Sequence, residues 1–190
     1  SHAAHPENGI NPGLAVAELI QEASKLSNNP EHFEDFTIST LIYTKIGEAA
    51  FGTSAGEAEI GFTLRAYKRV DLLKLKEMMT QMAANIAQKH ELEIGFNWVE
   101  SFPVTTNKDG AQDIFYEALE NSGLEHETLD EPFRWSEDFG HYRKVAKSYF
   151  WGLGSGENQP QLHNPDFDFP DELIPIGFKI YSSIIEVLNR

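Results

Sequence analysis

Cysteine is missing from all 190 residues. Its absence excludes disulfides, thiolate-held zinc and a cysteine nucleophile together. Any metal bound by this chain must take His, Asp, Glu or water. Basic residues are scarce beside acidic ones: 15 Lys and Arg against 30 Asp and Glu leave a net charge of −15. Such a surface repels phosphate backbones and anionic lipid, so neither nucleic acid nor membrane is an expected partner, whereas divalent cations concentrate near it. No run of about 18 apolar residues occurs, so no membrane-spanning helix is expected. Residues 1–12 have neither a basic start nor an apolar stretch, so no signal peptide is expected and the cytoplasm is the expected location. The HExxH motif, the P-loop and a Ser-His-Asp order are also lacking.

What the chain does have is apolar matter: 41% hydrophobic residues and 13 Phe, enough for a packed interior in one large domain or two small ones. Asn11 and Pro12 open a helix whose apolar face is expected to hold Leu14, Ala17, Leu19, Ile20, Ala23 and Leu26, ending at Asn28-Asn29-Pro30. TISTLIYTKIG (37–47) and EAEIGFTLRAY (57–67) alternate and predict two strands around the turn EAAFGTSAG. Residues 71–91 predict a helix capped by Asp71, and ELEIGFNWVESFP (91–103) predicts a third strand. The order α-β-β-α-β is a split β-α-β unit, ferredoxin-like, with its first strand missing before Ser1. A boundary is expected near 104–110. Beyond it come a helix in AQDIFYEALENSG, loop and short helix to residue 147, a short buried strand in SYFWGLGSG, and a last helix from about Pro170 to Asn189. The expected class is α+β, divided into residues 1–106 and 107–190.

Several residues are candidates for chemistry, and each has a plainer reading. In LHNPDFDFPDELI (162–174), Pro170, Asp171 and Glu172 suit a first helical turn, and Asp166 and Asp168 suit a loop cap. His163 lies upstream of all these, as a metal ligand or as a solvated loop histidine. GLGSGE (152–157) looks like a phosphate loop but is followed by prolines rather than by a helix, which leaves no anion site. His2 and His5 make an incomplete metal pair, and Pro6 disfavours a helix through them. Ser136 and Glu137 begin SEDF, which is either an acid pair or a cap on a short helix. Arg65 belongs by alternation with Thr63 and Tyr67, opposite Phe62 and Leu64, as a solvated cation or an anion clamp.

Taken together, SHAAHPENGINP, GEAAFGTSAGEAEIGFTLRA, RWSEDFG and FWGLGSGENQPQLHNPDFDFPDELI resemble the second half of a co-catalytic metallopeptidase. The superfamily is that of aminoacylases and glutamate carboxypeptidases, in the amidohydrolase branch that acts on N-acyl amino acids, such as hippurate and indole-acetyl-amino-acid hydrolases. The resemblance implies that residues 1–106 are a ferredoxin-like lid that pairs two subunits into a homodimer. Residues 107–190 then close an α/β zinc-aminopeptidase-like catalytic domain. It implies two divalent ions (zinc, manganese or cobalt) in the full-length enzyme and none in this chain alone. The substrate it implies is an N-acyl amino acid or small peptide. By the same resemblance His163 is the last metal ligand, His2 polarises the scissile carbonyl in the partner's site, Arg65 binds substrate, and Ser136 and Glu137 border the pocket. The other ligands and the glutamate base belong to an N-terminal segment that this chain lacks. Where the family often carries an asparagine in the lid turn, this chain has Phe51-Gly52-Thr53-Ser54.

Overall fold

Asn11 starts the first helix: its Oδ1 accepts the Gly13 amide at 2.8 Å, and Val16 N–H already bonds Pro12 O at 2.9 Å. The computed structural model describes residues 1–107 and 110–190; Lys108 and Asp109, in the expected boundary region, lie outside the described residues. They fall into two compact units, 1–104 with 133–136, and 105–132 with 137–190.

In the first unit, helix α1 (Gly13–Ala23) buries Ala15, Val16, Leu19 and Ala23. The face is rotated from the expected one, leaving Leu14 75% exposed, because the contact with α2 and the sheet falls on the side of Ala15, Leu19 and Ala23. Strands β1 (Thr37–Ile46) and β2 (Ala58–Ala66) pair antiparallel from Thr37 opposite Ala66 to Ile46 opposite Ala58. The register slips between Leu41 and Tyr43, which makes Ile42 the extra residue of a β-bulge. Gly47 sits at φ +58°, and a Cβ there would lie 2.8 Å from that of Ala55, so glycine is required where the hairpin leaves β1.

Helix α2 (Arg69–Lys89) lies over the sheet. Leu75, Met79, Ala83 and Ile86 meet Leu19, Ala23, Leu26 and Phe33, with Ile60, Phe62 and Leu64 of β2 packed against them. Asp71 does not cap this helix as expected. It is buried inside the first turn, where its two carboxylate oxygens accept the amides of Glu34 (3.2 Å) and Asp35 (3.1 Å), so its charge is hydrogen-bonded to the preceding loop instead. At the other end of α2, Lys89 and His90 both bond Glu18 of α1 at 2.8 Å, and Lys89 chiefly, then His90, holds the Glu18 carboxyl below the usual carboxylate range.

The third strand expected over 91–103 does not form among the described residues; the sheet has two strands. Alternation is present in Ile94, Phe96 and Trp98, but a strand also needs a neighbour to pair with. In a β-α-β-β-α-β unit the closing strand pairs with the opening one, and no described segment takes that place. Leu92 packs on the core, and Lys76 of α2 stands 4.1 Å from the Trp98 ring centroid.

In the second unit, α3 (Ala111–Ser122) and α4 (Leu173–Leu188) pack through Phe115, Ala118, Leu119 and Ile180, and the buried Ser183 hydroxyl donates to Ala118 O at 2.8 Å. The start expected near Pro170 is a turn, Leu173 N–H to Pro170 O, and α4 proper begins at Leu173. The short strand expected in SYFWGLGSG is absent too. The Asn107 side chain supplies what a neighbouring strand would: its Nδ2 donates to Phe150 O at 2.6 Å and its Oδ1 accepts Phe150 N–H at 2.8 Å. Tyr149 and Trp151 lie against Phe115, 4.7 and 5.3 Å between centroids, and burial, then the hydrogen bond with Tyr116, pushes the Tyr149 hydroxyl pKa up.

Candidate functional site

His2 is held by backbone. Ser54 N–H bonds Ser1 O at 2.9 Å and Ala3 N–H bonds Gly52 O at 3.0 Å, so His2 sits opposite Thr53 in an isolated antiparallel bridge. The turn Phe51–Ser54 thereby becomes its support, and Asn11 Nδ2 steadies Ser54 at 3.0 Å. The Ala4 amide donates to His2 Nδ1 at 3.0 Å. A ring nitrogen that accepts carries no proton, so the neutral imidazole has its hydrogen on Nε2 and presents it to solvent as a donor. That tautomer can polarise a carbonyl or steady an oxyanion. Beside it the Phe51 side chain is fully exposed.

Arg65 stands on the face of β2 opposite Phe62 and Leu64, which pack into the core. Its Nη1 donates to Arg134 O and to Ser136 Oγ, both at 3.2 Å. The strand's period of two therefore turns this guanidinium away from the helices and onto residues 133–136, some 70 positions later. Ser136 does not cap the following helix, as one reading expected. The 3-10 helix is Asp138–Lys144, it opens at Glu137, and no side-chain cap bond is made there. In the same segment Phe133 and Trp135 stack at 4.1 Å, while Arg134 reaches the other way, 4.9 Å from the Phe36 centroid. Sequence reasoning missed this cluster, although the alternating FRW before SEDF was a signal for it.

Glu137 and His163 belong to the second unit. His163 is exposed in a turn closed by Asn164 N–H to Gln161 O at 3.0 Å, and its φ is +74°. That is the left-handed region, where glycine is usual and a side chain is strained. So His2, Arg65 and Ser136 lie in one unit, with only Arg65 and Ser136 in contact, and Glu137 and His163 lie in the other.

The sequence profile of Peptidase family M20/M25/M40 matches residues 5–187. The chain belongs to this family. Among M20 relatives it is similar to "IAA-amino acid hydrolase ILR1-like 4" of Arabidopsis thaliana, 26% identical over 193 residues, covering 96% of this chain and 43% of that protein. An uncharacterized hydrolase, SSP1352, of Staphylococcus saprophyticus is also 26% identical, covering 98% and 49%. The fold resembles that of the Bacillus subtilis YXEP protein, described as a dinuclear metal binding peptidase from the M20 family. The TM-score is 0.68 at 18% identity, over 97% of this chain and 48% of that one. The chain spans about half the length of the curated relatives it matches.

A dinuclear centre needs several anionic or imidazole ligands per ion. Among the described residues no three His, Asp or Glu come together to hold one. His163 offers a single imidazole, so these residues do not by themselves fit such a centre.

Proposed function

We propose that the chain is the lid and closing segment of a metal-dependent amidohydrolase whose full-length parent cleaves the amide bond of N-acyl amino acids or small peptides. The observation that carries this reading is the M20 match over 5–187 together with a relative described as an IAA-amino acid hydrolase. On this reading residues 1–106 are the lid, through which two subunits pair, and residues 107–190 complete the catalytic domain. Helix α4 supports the second assignment. It exposes Ile174, Phe178, Tyr181, Ile185 and Leu188, an apolar face of the kind a complete domain covers.

The residues then take distinct roles. His2, with Nε2–H presented by the Ala4 hydrogen bond, donates to the scissile carbonyl oxygen in the partner's site, where charge develops. Arg65 pairs the substrate carboxylate, Ser136 and Glu137 border the pocket, and His163 contributes one imidazole to the metal centre. The remaining ligands and the base lie in the half of the family's length that this chain does not span.

The 190-residue chain alone should therefore show no amidase activity with added zinc, manganese or cobalt, since one imidazole leaves an ion under-coordinated and no base accompanies it. Incubation with hippurate and assay for released glycine checks this. Turnover that a chelator abolishes would overturn it. In the parent, hydrolysis of an N-acyl amino acid is the test of the reading itself, and inertness toward every such amide would sink it.

A further inference from the structure

The chain crosses between the two units three times, at 104–105, 132–133 and 136–137, because residues 133–136 belong to the first unit while both their flanks belong to the second. What holds these four residues there is a closed circuit of contacts. Arg65 Nη1, on β2, donates to Arg134 O and to Ser136 Oγ, both at 3.2 Å. The Arg134 guanidinium in turn lies over the Phe36 ring, 4.9 Å from its centroid. Phe36 packs on Tyr67, 4.6 Å between centroids, and its carbonyl accepts the Tyr67 amide at 3.2 Å. Tyr67 is two residues beyond Arg65, on the same side of an extended chain, which closes the circuit. The strap 133–136 is thus gripped twice, by its main chain and by one side chain, on a single patch beside β1 and β2. None of its four residues is buried, so neither grip is locked under other atoms.

We propose that residues 133–136 are a latch: a releasable strap that docks the chain of the second unit on the first through the Arg65 bonds and the Arg134–Phe36 stack. Closed, it makes the first unit carry the residue that precedes Glu137. A displacement of the first unit then passes to the start of the 3-10 helix Asp138–Lys144. Open, the strap leaves the 104–105 crossing as the one covalent link between the units. The latch stands on contacts inside the first unit and does not require the amidohydrolase reading. A surface loop that merely rests on the sheet is the bland alternative. It predicts that removing either grip changes nothing beyond the contact itself.

Trypsin applied to the 190-residue chain reads the latch directly, because the bond it would cut, Arg134–Trp135, uses both gripped groups. The protease takes the arginine side chain into its acidic specificity pocket and the scissile carbonyl into its oxyanion hole. The first must therefore leave Phe36 and the second must leave Arg65. At low protease, cleavage then tracks the open population. Arg65→Ala, which removes both hydrogen bonds, should speed this cut by roughly tenfold. Phe36→Leu, which keeps the bulk but loses the ring face, should speed it by roughly two- to fivefold. Cleavage at Lys147–Ser148, in the second unit, should keep its rate, and thermal melting shows each variant folded. In NMR spectra both variants should move the resonances of residues 137–144 and leave those of α4 in place. Unchanged cleavage after Arg134 in either variant, equal acceleration after Lys147, or resonances of 137–144 that stay put would overturn the latch.

Discussion

Two inactive variants of the full-length parent should regain activity when mixed. If His163 is a metal ligand as proposed, His163→Ala removes an imidazole from the metal centre and should lower metal content and turnover together. His2→Ala should leave metal content intact and depress turnover by roughly two to three powers of ten, the usual cost of one oxyanion donor. In a dimer of one His2→Ala chain and one His163→Ala chain, a His2 that acts across the interface puts both defects in the same site. The other site is whole. With free exchange of subunits about half of all dimers are mixed, each with one sound site of two, so about a quarter of the original activity should return. If His2 served its own chain, each site would carry one defect and mixing would restore nothing. Metal analysis, turnover before and after mixing, and native mass spectrometry to count the mixed dimers make the measurement complete. Mixed dimers without recovered activity would sink the trans assignment.

A larger effect on stability is expected from Leu75→Ala. Leu75 has no exposed surface and stands at the centre of the first unit, in one cluster with residues of α1 and β2. Truncation removes three carbons from a close-packed site that the two helices cannot fully refill, at a cost of about 2–5 kcal/mol. Leu75→Met, which nearly conserves volume, should cost less than about 1.5 kcal/mol. Urea unfolding should show the Ala variant with a lower midpoint at unchanged slope, and similar midpoints for Ala and Met would contradict this account of the core.

How legible all this was in the sequence depended on the range of the interaction. Helix α2 could be read because its period of 3.6 is written in consecutive turns, and Arg65 could be placed on a face because a strand's period is two. Helix α1 was read slightly rotated, since Leu14 and Ala15 are both apolar and only packing chooses between them. The segment at 91–103 misled because alternation shows what a strand could bury and not whether a neighbour exists to pair with it. Phe150 misled for a related reason: the Asn107 side chain, 43 residues earlier, takes the neighbour's part. Within the candidate site the residue types were visible, but the bond from Arg65 to Ser136 spans 71 positions and no local pattern encodes it.

The left-handed backbone at His163 sets two selections against each other. At φ +74° any side chain carries a penalty of about 1–2 kcal/mol that glycine escapes, and histidine is among the residues that bear it best. A library of all substitutions at position 163, sorted only for folded protein, should therefore enrich glycine over the original residue. Sorted in the full-length parent for hydrolysis, the same library should return histidine. On the proposed ligand role, the difference in stability between the two winners is the folding free energy that an imidazole at this turn costs.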